Sequence, residues 1–285
     1  MPNRRKCCFT KHNSVMINLQ KILEETRSLV LETGEFIRHE RTLFSNEKIE
    51  YKGVANMVSY VDKTAEEKLV EGLLKILPEA GFVTEEGTIS KSGERYEWII
   101  DPLDGTTNFI HGFPPYSISV ALKEQQEIVL GIVYEITRDE FFYALRGEPA
   151  YMNQHAIRVS TQANLENSLL VTGFPYDPKG RLTEWITLFQ KFTEQTHGVR
   201  RLGSAAVDLV YVACGRVDGF YEYNLNAWDV AAGAFIVQQA GGTVSEFNGG
   251  PEFIENRTLL ASNGLIQGQM QQLIATHFPT QQADA

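Results

Sequence analysis

Two aspartates three residues apart, Asp101 and Asp104, follow a short apolar run at 98–100. A buried strand there would deliver Asp101 at its end, and Gly105 would let the backbone approach a ligand closely. Thr106 adds a hydroxyl group. Carboxylate and carbonyl oxygens are the hard ligands that Mg²⁺ prefers, and Mg²⁺ commonly binds substrate phosphate as well. Because aspartate, proline and glycine also form ordinary turns, the stretch by itself is compatible with either a metal site or a turn.

Other acids stand at positions that could serve the same site. Glu85 and Glu86 follow an apolar run, and Asp62 and Asp229 each precede a stretch with helical periodicity. Taken singly, the glutamates fit a solvated turn and the two aspartates fit helix N-caps. A helix start can also present an acid to a metal, so capping and ligation can coexist at one residue.

Longer strings narrow these alternatives. The string Asp-Pro-Leu-Asp-Gly-Thr-Thr-Asn-Phe at 101–109 resembles the first signature of the inositol monophosphatase family, and Trp-Asp-Val-Ala-Ala-Gly at 228–233 resembles the second. The Glu85-Glu86 pair stands where the family places its own pair. Order and spacing agree, and the resemblance extends from 17 to 278. One departure is Thr84, where many members have glycine, which leaves the shape of this turn open.

The resemblance implies an α/β (α+β layered) fold, an α-β-α-β-α sandwich of the sugar phosphatase type, and a homodimer. Residues 16–155 would form an N-terminal half with most metal ligands. Residues 156–278 would form a C-terminal half with the substrate loop and Asp229. Residues 1–15 and 279–285 are predicted to be tails.

A metal centre follows from the same resemblance. Two to three Mg²⁺ ions per active site are implied, with Mn²⁺ able to substitute. Asp101 would bridge two ions, and the other protein ligands would be Glu85, the Leu103 carbonyl, Asp104 and Asp229. Glu85 would also hold a third, weaker ion through water and so contribute to catalysis. Inhibition by Li⁺ is implied as well, through the site that the weakly held ion vacates.

The implied chemistry is attack by water. Asp62 with Thr106 would orient and activate that water, and the N–H groups of Gly105 and Thr106 would hold the phosphate. A threonine hydroxyl is a poor base alone, but it can pass a hydrogen bond to Asp62. A phosphate monoester is a dianion that repels a nucleophile, so cations that neutralise it make in-line water attack feasible without a protein nucleophile.

Substrate contacts are implied at eight residues, which are Asp104, Gly105, Thr106, Gly203, Ser204, Ala205, Glu222 and Asp229. The stretch 201–206 resembles the family's substrate loop, and Glu222 matches an acid that accepts a hydrogen bond from a ring hydroxyl. Lys52 resembles a lysine on a mobile loop near the metals. The alternatives are an ordinary N-cap at Ser204, a solvated strand-end glutamate and an exposed lysine.

Periodic runs predict the elements that would position these residues. Helices are predicted at 17–40, 62–77, 182–192, 204–214, 229–240 and 265–277. Strands are predicted at 98–100, 116–122, 128–136, 140–145, 168–172, 219–223 and 259–262. The irregular stretch 42–56 is predicted to be a loop. Two helices, many strands and then mixed elements indicate layered sheets and helices.

Composition excludes some classes of protein. The net charge of −10 argues against a broad nucleic-acid or anionic-membrane surface. No run approaches the roughly 20 apolar residues that a membrane span needs. The three cysteines are odd in number and lack zinc-site spacing, which fits a reducing compartment and predicts a cytoplasmic location.

The resulting prediction is a Mg²⁺-dependent phosphomonoesterase that hydrolyses inositol 1-phosphate to inositol and phosphate. A related sugar or polyol phosphatase, such as a fructose-1,6-bisphosphatase, remains an alternative. Thr107 favours the inositol group, because nucleotide and histidinol phosphatases of similar sequence carry lysine or arginine there. A binding role in transcription complexes is an alternative of another class. A Ca²⁺-binding structural module is disfavoured, since the acids lack the dense twelve-residue loop.

Overall fold

A computed structural model describes residues 17–43, 49–51, 57–175 and 180–279. Lys52 lies outside the described residues. So do the tail predicted at 1–15 and residues 280–285 of the second predicted tail.

The described residues contain helices and strands in mixed order. The helices are α1 (Leu19–Leu43), α2 (Tyr60–Ile76), α3 (Thr106–His111), α4 (Leu182–Gln195), α5 (Ala205–Ala213), α6 (Ala227–Gln239) and α7 (Gln267–His277). The strands are β1 (Ile49–Tyr51), β2 (Met57–Ser59), β3 (Gly81–Thr84), β4 (Tyr96–Asp104), β5 (Ser117–Glu124), β6 (Glu127–Glu135), β7 (Glu140–Leu145), β8 (Tyr151–Met152), β9 (His155–Ala156), β10 (Leu169–Thr172), β11 (Gly198–Arg200), β12 (Gly219–Tyr223), β13 (Thr243–Ser245) and β14 (Thr258–Ser262).

Two larger sheets organise the chain. A seven-stranded sheet has the order β3-β4-β5-β6-β7-β8-β9, and it is antiparallel except for the parallel pair β3 and β4. A five-stranded sheet has the order β11-β10-β12-β14-β13. There β10 runs parallel to both neighbours, whereas β14 is antiparallel to β12 and β13. Strands β1 and β2 form a separate antiparallel pair.

Strand alternation explains the layering. Successive side chains of a strand point to opposite faces, so Trp98 and Ile100 of β4 join a core with α1 and α2, while Ile99 joins a core with α5 and α6. In the second sheet Phe220 packs toward α5 and α6, and Tyr221 packs toward α4 and α7. The layers are therefore α1/α2, sheet, α5/α6, sheet and α4/α7, which confirms the predicted α-β-α-β-α sandwich.

The structure corrects several predicted boundaries. The stretch 42–56 is not all loop, since β1 lies within it and pairs with β2. The strand predicted at 98–100 is the centre of the nine-residue β4, and the helix predicted from 229 begins at Ala227. The sequence analysis did not predict the short strands β3, β8, β9, β11 and β13. Each has only two to four residues, which is too few to show the alternation of apolar and polar residues that indicates a strand.

Candidate active site

The first signature ends β4 in an irregularity. Asp101 pairs with Ser119 and Asp104 with Ser117, so that four residues of β4 lie opposite three of β5. Pro102 falls inside this bulge, where a residue without an N–H is tolerated. The Leu103 N–H donates to Asp101 Oδ1 over 2.9 Å. The bulge therefore turns the strand end and fixes the Asp101 carboxylate, which is almost fully buried.

Gly105 follows the bulge and caps α3 in a left-handed conformation, with φ +97°. A Cβ at this position would lie 3.1 Å from the Pro115 carbonyl oxygen and 3.2 Å from the Gly203 carbonyl oxygen. Asn108 then donates through Nδ2 to the Pro115 and Leu202 carbonyl oxygens, over 2.7 and 2.8 Å. The first signature thus directly holds the loop that precedes α5.

Asp62 and Thr106 meet from different elements. The Thr106 hydroxyl Oγ1 is 2.8 Å from Asp62 Oδ1 and 3.1 Å from the Leu103 carbonyl oxygen. Asp62 is buried in the first turn of α2, which begins at Tyr60, so Asp62 is not the helix N-cap. The position inside the first turn lets its carboxylate point at α3 instead of closing its own helix.

Glu85 belongs to a turn that a buried acid holds. Glu66 on α2 accepts hydrogen bonds from the N–H groups of Glu86 and Thr88, both over 2.8 Å, and another from the Thr88 hydroxyl. Thr84 ends β3, and its buried hydroxyl has no hydrogen-bond partner among the described residues. Glu85 is close enough to Asp101 for each carboxyl group to affect the pKa of the other. The turn is therefore part of the site and not a solvated surface turn.

The second signature begins α6. Asn226 is the N-cap, and Asp229 is the third helical residue of a capping box. The Asn226 N–H donates to Asp229 Oδ2 over 2.6 Å. The interpretation of Asp229 as the N-cap itself is therefore wrong, because the chain enters the helix two residues earlier. The capping box still holds the Asp229 carboxylate at the helix start, where a negative charge is favoured.

Ser204 serves a helix and an acid at once. Its hydroxyl oxygen accepts a hydrogen bond from the Val207 N–H over 3.2 Å and so caps α5. The same hydroxyl lies 2.6 Å from Asp104 Oδ2, to which it donates, and the Ala206 N–H donates to that oxygen over 2.7 Å. The N-terminus of α5 therefore binds the Asp104 carboxylate directly.

Several of these groups line a cavity of about 280 Å³, whereas Asp62, Asp101, Leu103, Gly105 and Thr106 are not among its lining residues. Its lining residues are Glu85, Asp104, Gly173, Phe174, Pro175, Arg201, Gly203, Ser204, Ala205, Asp208, Glu222, Asn224, Leu225, Asn226, Asp229 and Arg257. Glu222 is 8% exposed inside β12, so the alternative of a solvated strand-end glutamate is wrong. Lys52 is the one candidate site residue that lies outside the described part of the chain.

Acidic side chains are concentrated in and around this cavity. Burial raises the pKa of Asp104 to about 6, that of Asp229 to about 7 and that of Glu222 to about 8. Burial and the neighbouring carboxylates raise the pKa values of Glu85 and Asp101 well above their ordinary range. Each of these acids is harder to ionise because of its surroundings. A cation in the cavity would offset the repulsion between the ionised carboxylates.

Comparison with known proteins decides the family. The model of the inositol monophosphatase family matches residues 18–283. The chain belongs to the inositol monophosphatase family. A protein named inositol-1-monophosphatase from Mesorhizobium japonicum is 38% identical over 257 residues, which are 89% of this chain and 94% of that protein. A protein named Nus factor SuhB from Pseudomonas aeruginosa is 42% identical over 233 residues, or 80% of this chain and 86% of that protein.

A solved structure agrees with this assignment. The extragenic suppressor protein suhB from Bartonella henselae superposes with a TM-score of 0.85 at 36% identity, covering 89% of this chain and 98% of that one. Membership in the inositol monophosphatase family supports a phosphatase activity of a generally metal-dependent kind. Within the described ranges, no helix is long and apolar enough to cross a membrane.

The donor set of this family member fits hard cations. Among the described residues, no three acidic, histidine or cysteine side chains already form a metal-binding cluster, so the carboxylates would have to turn toward one point. Glu85 and Asp101 nevertheless carry two carboxyl groups that raise each other's cost of ionisation or share a proton. A cation bound near both would stabilise their ionised forms. With oxygen atoms as the donors, Mg²⁺ or Mn²⁺ suits this position better than a soft metal.

The residues at or near the site that were absent from the sequence prediction include Glu66, Gly173, Asp208 and Arg257. Asp208 is buried on α5, its Oδ1 has no hydrogen-bond partner among the described residues, and burial raises its pKa well above the ordinary range. A Cβ on Gly173 would lie 2.1 Å from the Glu222 carboxylate. Of these residues only Asp208 could have been suspected from local sequence, because it follows Ser204 by four residues in a predicted helix. That position is equally typical of an acid that stabilises the first turn of a helix.

Proposed function

We propose that this chain is a Mg²⁺-dependent phosphomonoesterase for small polyol or sugar phosphates, with inositol 1-phosphate as the first candidate. One observation carries the proposal. Glu85, Asp104 and Asp229 come from three separate segments and line one cavity, and the buried Asp101 interacts electrostatically with all three. An ordinary turn or helix cap gives no reason for four acids with raised pKa values to share a site.

The metal ligands would be the carboxylates of Glu85, Asp101, Asp104 and Asp229 with the carbonyl oxygen of Leu103. When bound, Mg²⁺ supplies positive charge that neutralises the phosphate dianion, acidifies water and stabilises the departing alkoxide. Two to three ions are proposed, the third held weakly through Glu85 and water. Ser204 and the Ala206 N–H keep Asp104 oriented toward the cavity.

Proton transfer would run through Thr106. Its hydroxyl has one proton and two acceptors within reach, Asp62 Oδ1 at 2.8 Å and the Leu103 carbonyl oxygen at 3.1 Å. The nearer acceptor is a carboxylate, which forms the stronger hydrogen bond. Thr106 therefore donates to Asp62, and its oxygen lone pairs can accept a proton from the attacking water. This arrangement leaves the Leu103 carbonyl available as a ligand.

Substrate recognition would use residues beside the metal ligands. Gly105 and Thr106 would offer N–H groups to the phosphate, and Gly203, Ser204 and Ala205, which line the cavity, would contact ring hydroxyls. Glu222 has its pKa raised to about 8 by burial and by Asp229. A cation bound at Asp229 would oppose that rise, and the Glu222 carboxyl group would accept a hydrogen bond from a ring hydroxyl.

Substitution of Glu222 is expected to affect substrate choice and not chemistry. Glu222→Gln retains the size and one acceptor oxygen, so its loss on inositol 1-phosphate should be small, whereas Glu222→Ala should cost about 1–3 kcal/mol. The loss in kcat/KM should be smaller on p-nitrophenyl phosphate, which has no ring hydroxyls, and Mg²⁺ dependence should be unchanged. An equal loss on both esters would instead place Glu222 in the metal site or the fold.

Gly173 provides a matched prediction for the same contact. The added methyl group of Gly173→Ala would displace the Glu222 carboxylate, because a Cβ there would lie only 2.1 Å from Glu222 Oε2. The variant should therefore resemble Glu222→Ala in discriminating less between inositol 1-phosphate and p-nitrophenyl phosphate. Gly268→Ala is a suitable control, since Gly268 lies in helix α7 and nothing lies within 4 Å of its added Cβ. Unaltered discrimination by a folded Gly173→Ala protein would contradict this placement of Glu222.

A phosphate-release assay tests the proposed function. The panel is inositol 1-phosphate, fructose 1,6-bisphosphate, 3′-phosphoadenosine 5′-phosphate and histidinol phosphate, each with Mg²⁺, with Mn²⁺ and with excess EDTA. Turnover should require the metal and be highest on inositol 1-phosphate, and Li⁺ should inhibit it. Full turnover in EDTA would refute the metal-dependent mechanism. Preference for another ester would keep the mechanism and change the substrate.

Two further properties are proposed, the first from the family resemblance and the second from the cysteine content. The protein should be a homodimer, which sedimentation equilibrium can measure, and it should reside in the cytoplasm, which cell fractionation can measure. A monomer at micromolar concentration would contradict the first proposal. Recovery in a membrane or exported fraction would contradict the second.

A second candidate function is binding within a transcription complex. It is motivated by the 42% identical relative named Nus factor SuhB. Affinity capture should then recover transcription components with both the natural protein and a catalytically inactive Asp101→Asn variant. Capture that requires active-site residues, or no capture at all, would count against an independent binding role.

A further inference from the structure

Arg257 holds the loop that leads into α6. Its Nε donates to the Leu225 carbonyl oxygen over 2.8 Å, and its Nη2 donates to the Asn224 carbonyl oxygen over 3.1 Å and to Asn226 Oδ1 over 2.9 Å. These three acceptors are consecutive residues between β12 and α6. One guanidinium group therefore fixes the whole connection, using the planar geometry that lysine lacks.

The backbone strengthens the same attachment. The N–H groups of Asn224 and Leu225 donate to the Arg257 carbonyl oxygen, over 2.7 and 3.3 Å. Arg257 has φ +58° and Asn224 has φ +65°. Asparagine tolerates the left-handed region, but an arginine there is uncommon and strained. The loop and Arg257 are thus joined through main chain and side chain at a strained position.

The loop in turn carries a proposed metal ligand. Asn226 is the N-cap of α6, and its N–H donates to Asp229 Oδ2 over 2.6 Å. Its side-chain oxygen is the atom that receives the Arg257 hydrogen bond. Arg257 also lines the cavity and acts on the Asp229 charge, opposing the rise in the Asp229 pKa that burial causes. A short chain of contacts therefore connects Arg257 to the Asp229 carboxylate through Asn226.

We infer that Arg257 is a positioning residue that orients Asp229 for Mg²⁺ by holding residues 224–226. The assignment rests on the proposed metal-dependent function. Groups that orient a metal ligand from behind typically contribute 10- to 100-fold to metal affinity or activity. A residue that merely stabilised the fold would lower the melting temperature without a corresponding change in Mg²⁺ affinity.

The experiment is calorimetric titration of Mg²⁺ into metal-free protein, comparing wild type with Arg257→Ala, Arg257→Lys and Arg216→Ala. Arg216 is a matched control, because it makes two hydrogen bonds to Glu140, of 2.5 and 2.8 Å, and does not line the cavity. Arg257→Ala should weaken Mg²⁺ binding roughly 10- to 100-fold. Arg257→Lys should be intermediate, and Arg216→Ala should remain within twofold of wild type. Millimolar guanidinium should restore part of the Arg257→Ala loss.

Amide hydrogen exchange in the metal-free proteins gives a second readout. Residues 224–229 should exchange faster in Arg257→Ala than in wild type, with no such change in Arg216→Ala. Wild-type Mg²⁺ affinity in folded Arg257→Ala would overturn the assignment, and if that variant does not fold, unchanged affinity in Arg257→Lys would do so. Absence of Mg²⁺ binding by the wild type would instead refute the proposed function, and this assignment with it.

Discussion

Replacing Asp101 or Asp229 by asparagine is expected to lower kcat by roughly two or more orders of magnitude, since each change removes a charged metal ligand while nearly keeping its shape. The loss should appear at saturating Mg²⁺ and on every phosphate ester that the wild type hydrolyses. Steady-state phosphate release is the measurement. Asp218→Asn is the control, because Asp218 is a hydrogen-bonded acid that accepts from Ser160 Oγ and the Leu169 N–H and does not line the cavity.

The thermal stability of the metal-free protein shows whether Asp229 is a metal ligand or a structural helix cap. Burial raises the pKa of Asp229 to about 7 in the folded protein, well above the ordinary value near 4. Between these values the folded protein retains a proton that the unfolded chain releases, so the metal-free fold should lose stability as pH rises from about 4 to 7. Asp229→Asn removes this loss. Its melting temperature in EDTA should hold or rise near pH 7, whereas a large fall with intact activity would identify a structural cap.

The layers of the fold were predictable because their residues repeat. Alternating apolar residues indicated β5, and helical periodicity indicated α1, α2 and α4, so hydrophobic pattern and family resemblance pointed to the same sandwich. The full extent of β4 was not predictable in this way. Asp101, Pro102 and Asp104 have low strand propensity, and only the pairing with β5 and the bulge there make them part of the strand.

The site was predictable only where its residues lie in contiguous strings. Asp101, Asp104 and Asp229 stand in two signatures, and the capping of α5 by Ser204 follows from local sequence. Glu66 accepts a hydrogen bond from Thr88, about 20 positions away along the chain, and Arg257 donates one to Leu225, about 30 positions away. Neither residue has a local pattern that distinguishes it from an ordinary surface charge. Their contacts depend on the assembled fold, so the structure was needed to find them.

Replacing Thr106 by valine is expected to lower kcat by about 10²- to 10⁴-fold, the usual contribution of a positioned proton acceptor. Valine nearly matches threonine in shape, but it cannot pass a proton to Asp62, which lies 2.8 Å from the threonine hydroxyl. Mg²⁺ affinity, measured by calorimetry, should change little, because the Thr106 side chain is not a proposed metal ligand. Thr106→Ser keeps the hydroxyl and should retain most of the activity.

A double-variant comparison shows whether Thr106 and Asp62 act as one unit. Asp62→Asn should reduce kcat to a similar extent, and combining it with Thr106→Val should add little further loss, since groups that act together are strongly non-additive. If the loss in kcat of the double variant equals the product of the two single losses, the two residues contribute separately. The 2.8 Å hydrogen bond between them would then not be the proton path. A Thr106→Val protein with kcat within tenfold of wild type would remove Thr106 from the mechanism and leave water activation to the metal ligands.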